Sequence, residues 1–305
     1  MRACTRPIRI VKKRSMQRNK EKIAVLTDSC ADIPETLIKK HDLHILPLKI
    51  IFSGKAYTDG VDITAAQVYD KLPSEIPKTS LPSPDEVRTL FQKIYDKGYR
   101  KVFAIIFSSG LSGTFNLVRL IGGEFEGLNV HAVDTLSGSL GTGAIAVHTA
   151  ELIEAGRSFE EIKTILPRLI ANTKVFFSID TLEYLQKGGR IGLITAMTGM
   201  LLNVKPIITF SDDGQLMSVA KVRGRRKSIQ KMIDLAKSHA PEGARYILMV
   251  ANGGCPDEMD AVKAHYTRVL PDFENLYEGE VDCTLGTHVG PNLLGAGILV
   301  LGEND

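Results

Sequence analysis

The stretch Lys101-Val-Phe-Ala-Ile-Ile-Phe-Ser-Ser-Gly-Leu-Ser-Gly-Thr114 decides the fold class of this 305-residue chain. Residues 101–107 form a short apolar run, which is typical of a buried strand. The polar loop 108–114 follows directly and leads into a helical pattern that extends to about residue 122. This order of strand, loop and helix indicates a parallel α/β sheet, with the loop at the carboxyl edge of a strand.

The same alternation of strands and helices extends over the first half of the chain. Strands are predicted at 23–29, 43–52, 101–107 and 128–133, and helices at about 65–72, 84–97, 114–122 and from near 143. Strands that alternate with helices predict a doubly wound parallel sheet.

From about residue 158 the pattern becomes mixed. The predicted elements are helices at 159–171, 182–187, 225–239 and 256–268, strands at 174–179, 206–210, 215–222, 245–251 and 273–281, and a Gly-rich loop at 286–297. We therefore predict two α/β domains, 23–157 and 158–305.

A basic leader precedes the first strand. Residues 1–22 hold nine Lys or Arg and one Glu, which leaves 29 basic and 34 acidic residues for an acidic body. Such a segment is either a disordered tail, which we favour, or an arm that binds nucleic acid. Met16 is an alternative translation start seven residues before the first strand, and we exclude residues 1–15 from the fold prediction.

Several classes of protein are disfavoured by missing motifs. No window approaches 18 apolar residues, and no apolar run follows the basic residues, so we expect a cytoplasmic protein without stable membrane insertion. The four cysteines form no C-x-x-C pair, so reduced thiols and no metal are expected. No G-x-x-x-x-G-K-[ST] occurs, which argues against ATP hydrolysis, and no cofactor is predicted.

Two hydroxyl-rich loops are the candidate site. The loop 108–114, which contains Ser109, Ser112, Gly113 and Thr114, can bind an anion through its hydroxyls and the amides of the following helix. The second cluster is Thr79-Ser-Leu-Pro-Ser83, which includes Ser80. His288 lies in the predicted Gly-rich loop near the C-terminus, a position typical of residues that shape sites.

Two further features are open to more than one interpretation. The apolar segment 191–202 either lines a pocket for a flexible chain or packs in an ordinary core. A basic cluster of Arg223, Arg225, Arg226 and Lys227 is either a solvated turn or a docking patch for a negatively charged partner.

The hydroxyl loops also allow a hydrolase. Gly110-Leu-Ser-Gly-Thr114 is close to the G-x-S-x-G nucleophile motif, and Ser112, Asp282 and His288 form a conceivable triad in that chain order. However, the predicted site is rich in neutral donors and poor in placed acids and bases, which suits holding a carboxylate better than cleaving an ester.

Taken in order, these segments resemble the DegV family from about Lys22 to Leu301. The residues that carry the resemblance are Thr27-Asp-Ser29 with Asp32 and Pro34, Asp59-Gly-Val-Asp62, Thr79-Ser80 with Pro82-Ser83, Ser108 to Thr114, Thr181-Leu-Glu-Tyr-Leu185, Gly188-Gly-Arg-Ile191, Lys205-Pro206 and His288-Val-Gly-Pro291. The chain departs from the family at Cys30, where Ser or Thr is usual, and at Leu81, which replaces Gln.

The resemblance implies a non-catalytic carrier that presents a long-chain fatty acid, such as palmitate or oleate, to the catalytic subunit of fatty acid kinase. That subunit phosphorylates the carboxylate to an acyl phosphate, which feeds phospholipid synthesis. By motif position, Thr79 and Ser112 hold the carboxylate and His288 lies close to it. The acyl chain in such proteins is buried between the two domains.

Overall fold

The computed structural model describes residues 19–194 and 203–302, which form strands, helices and a short 3-10 helix at Ser29–Ala31. The strands are β1 (Ile23–Asp28), β2 (His44–Leu46), β3 (Lys49–Phe52), β4 (Lys55–Thr58), β5 (Lys78–Ser80), β6 (Lys101–Ile106), β7 (Asn129–Asp134), β8 (Thr173–Ser178), β9 (Val204–Phe210), β10 (Leu216–Arg223), β11 (Arg245–Gly253), β12 (Asn275–Glu280) and β13 (Leu293–Leu301). The helices are α1 (Glu35–Lys40), α2 (Ala65–Lys71), α3 (Pro84–Asp96), α4 (Thr114–Glu124), α5 (Leu140–Glu154), α6 (Phe159–Ala171), α7 (Glu183–Lys187), α8 (Arg225–Lys237), α9 (Pro256–Val269) and α10 (Cys283–Val289).

The N-terminal half is built on a parallel sheet in the order β2-β1-β6-β7. One face packs on α3 and α4 through residues such as Leu26, Phe91 and Val118. The other face, which includes Phe103, packs on α5 and α6. Helices cover both faces, which confirms the predicted doubly wound sheet.

The C-terminal half is built on a six-stranded mixed sheet in the order β10-β9-β8-β13-β11-β12. Of its strand pairs, only β11 and β12 run parallel. Its outer face packs on α8 and α9, and its inner face shares one core with α5, α6 and the first sheet. This confirms the predicted two-domain α/β architecture, and the predicted boundary at 157/158 falls in the turn between α5 and α6. No helix within the described ranges has the length and apolar character needed to cross a membrane.

The predicted strand 43–52 is wrong as a single element. It divides into β2 and β3, which belong to different sheets, on either side of Pro47. Proline lacks the backbone N–H that a continuous ladder requires. β3 instead forms a small antiparallel sheet in the order β4-β3-β5, and this sheet places Thr79 opposite Ile50.

The predicted loop 286–297 is also wrong, because these residues include the end of α10 and most of β13. The glycines of this region serve close packing. A Cβ at Gly286 would lie 3.0 Å from the Tyr69 ring, and one at Gly297 would lie 2.7 Å from Val175 Cγ1. His288 lies on α10 and not in a loop.

Most of the predicted leader lies outside the described residues, as do Met16 and residues 195–202 of the apolar segment. Residues 19–22 belong with the folded body. The Asn19 side chain hydrogen-bonds the backbone of Ile23, and Glu21 forms an ion pair with Lys101 at 2.6 Å.

The buried carboxylate of Asp59 ties α10 to the N-terminal half. It accepts hydrogen bonds from the backbone N–H groups of Cys283 and Thr284, each at 3.1 Å, and from Thr284 Oγ1 at 2.6 Å. Ser29 Oγ donates a further bond at 3.1 Å. A carboxylate is favourable at a helix N-terminus, where backbone N–H groups lack intrahelical acceptors.

We expect Asp59→Ala to lower the free energy of unfolding by about 3 kcal/mol, because it leaves buried donors without their charged acceptor. The measurement is the urea midpoint followed by circular dichroism. The exposed Asp70, on α2, provides the control Asp70→Ala, which should change stability by less than about 0.5 kcal/mol. Equal midpoints for the two variants would show that Asp59 does not hold the halves together.

Candidate functional site

A cavity of about 360 Å³ is lined by β5, the loop after β6, strands of the six-stranded sheet and α10. It falls near the lower end of the range of roughly 300–1,000 Å³ typical of small-molecule sites. The residues that line it are Leu48, Thr79, Ser80, Leu81, Phe107, Leu111, Ser112, Gly113, Gly138, Ser139, Phe177, Leu185, Arg190, Ile208, Phe210, Leu216, Val281, Thr284, Leu285, His288, Val289 and Leu293. Most of these side chains are aliphatic or aromatic, so the cavity suits a largely apolar ligand with a polar group at one end.

Five of the seven predicted ligand-binding residues line this cavity. They are Thr79, Ser80, Ser112, Gly113 and His288. The structure brings Thr79, on β5, and His288, on α10, into a hydrogen bond of 3.0 Å between Oγ1 and Nε2. Residues 209 positions apart in sequence therefore form one polar group.

The other two predicted residues support the loop and are absent from the lining. Thr114 is fully buried at the start of α4, and its Oγ1 lies 2.8 Å from Ser112 Oγ. The Ser112 hydroxyl also accepts a hydrogen bond from the Thr114 backbone N–H. The Ser109 backbone N–H donates to Asp134 Oδ1 at 3.1 Å, which fixes the loop to the end of β7. Thr114 and Ser109 therefore position Ser112.

His288 is held in its neutral form. Burial and, to a smaller extent, the nearby charge of Arg190 together lower its pKa to about 4. Its Nδ1 is buried and makes no hydrogen bond with the described residues. A Cβ at Gly188 would overlap this nitrogen. The His288 ring can therefore occupy this position only because residue 188 is glycine. At neutral pH the His288 ring is therefore uncharged and can still form hydrogen bonds.

Arg190 is a site residue that sequence reasoning did not assign. It lines the cavity, half-buried, and its Nη1 donates to the Gly188 carbonyl at 2.8 Å. It is the one Lys or Arg in the lining. The signal was present in Gly188-Gly-Arg190, a basic residue at the start of an apolar segment.

The conceivable triad is not assembled among the described side chains. Ser112 Oγ bonds Thr114, while His288 Nε2 bonds Thr79. Asp282 is the N-cap of α10, where its Oδ1 accepts from the Leu285 backbone N–H. Burial and the charges of Asp59 and Asp32 raise the Asp282 pKa well above its usual range. Among the residues that the structure describes, no acid therefore orients the histidine toward Ser112.

The arginine cluster divides into two kinds of residue. Arg225 is half-buried and pairs with Glu258 at 3.0 Å and with Asp180 at 3.7 Å. Arg223, at the end of β10, and Arg226, in the first turn of α8, are exposed. The described residues contain no group of three or more His, Cys, Asp or Glu that could hold a metal ion.

The fold and the cavity define a two-domain α/β protein with a largely apolar cavity. A family model described as "Uncharacterised protein, DegV family" matches residues 22–301, and the chain belongs to that family. It is 38% identical over 275 residues to a DegV domain-containing protein of Clostridium acetobutylicum, covering 90% of this chain and 98% of that one.

Solved structures show the same fold. A DegV family protein from Thermus thermophilus, described by its fatty acid binding, aligns with a TM-score of 0.86 and 31% identity, covering 92% of this chain and 100% of that one. DegV from Bacillus subtilis, described as a fatty acid binding protein, aligns with a TM-score of 0.84 and 29% identity, with 92% and 100% covered.

We expect His288 to stay neutral down to about pH 5, since its pKa lies near 4. An unperturbed histidine titrates near pH 6.5. Long-range ¹H–¹⁵N NMR of histidine-labelled protein measures the midpoint, and His288→Gln identifies the signal. Because the folded pKa lies below the unfolded value, stability is lost as the pH falls from about 6.5 to about 4. His288→Gln should reduce that loss, and a midpoint near 6.5 would contradict the burial argument.

Proposed function

We propose that this protein binds a long-chain fatty acid, with the carboxylate at Thr79, Ser112, His288 and Arg190 and the acyl chain in the apolar part of the cavity. The observation that carries the proposal is an apolar cavity with a polar group built from the Thr79–His288 hydrogen bond. A carboxylate accepts hydrogen bonds from hydroxyl groups and from a guanidinium.

The apolar wall of the cavity supplies most of the binding free energy in this proposal. Burying the ~14 methylenes of a sixteen-carbon chain at ~0.8 kcal/mol each gives ~11 kcal/mol before the cost of ordering the chain and the complex. Phe107, Phe177 and Ile208 contribute aromatic and aliphatic surface to this wall. The polar group then fixes which end of the ligand faces the surface.

We further propose that the bound carboxylate is presented to a fatty acid kinase catalytic subunit, which transfers the γ-phosphoryl group of ATP to it and releases ADP. Exposed residues surround the polar end, since Ser80, Leu81 and Gly113 all reach solvent. A partner can therefore approach the carboxylate. The role requires no base on this chain, in agreement with the lowered pKa of His288, which makes its imidazole a weak base.

We also propose a cytoplasmic location and a docking surface for the kinase subunit. Cys30, Cys255 and Cys283 are free thiols, which suits a reducing cytoplasm. Exposed Arg223 and Arg226 are the residues that we propose for docking, because Arg225 is already paired within the chain.

Replacing both Thr79 and Ser112 by Ala should raise the dissociation constant for palmitate by about 30-fold or more, equivalent to ~2 kcal/mol. The measurement is calorimetric titration of delipidated protein. Thr164→Ala with Ser238→Ala is the matched control, since both of these exposed hydroxyls bond a carbonyl of their own helix.

The methyl ester of palmitate separates head-group recognition from tail binding. The wild type should bind the acid more tightly than the ester, and the double variant should show a smaller preference, since His288 and Arg190 remain. A folded double variant that keeps both its affinity and its preference for the acid would exclude this site.

The variant Arg223→Glu with Arg226→Glu should slow ATP-dependent acyl phosphate formation with the kinase subunit at least tenfold, while palmitate binding stays unchanged. The product is measured as its hydroxamate after trapping with hydroxylamine. Lys237→Glu provides a charge control at the other end of α8, roughly 16 Å from Arg226. Normal acyl phosphate formation by the double variant would move the docking surface elsewhere.

A further inference from the structure

A second cavity adjoins the first, and Phe210 lines both of them. The second cavity has a volume of about 390 Å³. It lies between the end of β7, helix α6 and the first residues of β8, and its walls include Ser137, Lys174 and Val175. No residue other than Phe210 is common to the two linings described here.

The second cavity exists because two strands separate. β8 and β9 are paired only at Phe177 with Ile208 and at Ser178 with Ile207. Beyond these pairs, the Thr209 side chain reaches across to the Val175 carbonyl at 2.6 Å in place of a backbone ladder bond. Phe210 is the last residue of β9 and lies where the two strands diverge.

The Phe210 ring is wedged between the two halves of the chain. A Cβ at Gly138 would lie 3.0 Å from Phe210 Cζ and 3.3 Å from Phe107 Cδ2, so both rings press on the Gly138 backbone. On the other side, Phe177 meets Phe210 edge-on at 6.4 Å between ring centroids. The ring therefore lies where the linings of the two cavities meet.

We propose that Phe210 sets the longest acyl chain that the protein accepts, by closing the apolar part of the lipid cavity against the second cavity. This inference rests on the proposed fatty acid binding and adds its specificity determinant. A small side chain at 210 joins the two volumes, so a chain too long for the first cavity continues into the second.

The test is native mass spectrometry of delipidated protein with an equimolar mixture of saturated fatty acids from C14:0 to C22:0. In Phe210→Ala, the ratio of bound C20:0 to bound C16:0 should rise at least tenfold over the wild type, and Phe210→Leu should give an intermediate ratio. Phe125→Ala is the matched control, because Phe125 is a partly buried ring packed on Phe91 and lines neither cavity.

The possible results distinguish a failure of the proposed fatty acid binding from a failure of the chain-length assignment. A wild type that binds none of the acids overturns the proposed function, and the chain-length assignment with it. If the wild type binds fatty acids and both Phe210 variants keep its ratio within twofold, the chain-length assignment alone is wrong. If Phe210→Ala does not fold, the ratio measured for Phe210→Leu decides in the same way.

Discussion

The carboxylate of Asp59, set against the first turn of α10, is the contact on which the site depends. Two backbone N–H groups and the Thr284 hydroxyl donate to it, so the C-terminal helix is fixed to the N-terminal half of the chain. Asp32 adds a second tie by accepting from the Asp282 backbone N–H at 2.9 Å. These bonds hold α10 where His288 meets Thr79.

Burying carboxylates in this region costs free energy, as the raised pKa values of two neighbouring acids, Asp28 and Asp32, show. Burial raises the pKa of Asp28 to about 7, although the backbone N–H groups of Phe107 and Cys30 stabilise its charged form. Burial also raises the pKa of Asp32 well above its usual range. A buried carboxylate is tolerated when donors surround it, and here the donors are the backbone of the loops that shape the cavity.

Much of the fold could be predicted from sequence, because buried parallel strands and capped helices leave local patterns. The motif Ser83-Pro-Asp-Glu86 is an example, since it caps α3 with reciprocal side-chain bonds. The errors arose where tertiary packing gives a residue its role. Gly286 and Gly297 predicted a loop, but they allow Tyr69 and Val175 to approach a helix and a strand. The role of Arg190 depends on a cavity whose walls come from distant segments, which no local pattern reveals.

Native mass spectrometry of the purified protein, followed by solvent extraction of whatever is released, tests the central claim most directly. The account predicts close to one fatty acid per chain, bound as the free acid and displaced by added palmitate or oleate. A protein that carries no lipid and takes up neither acid after delipidation would contradict it.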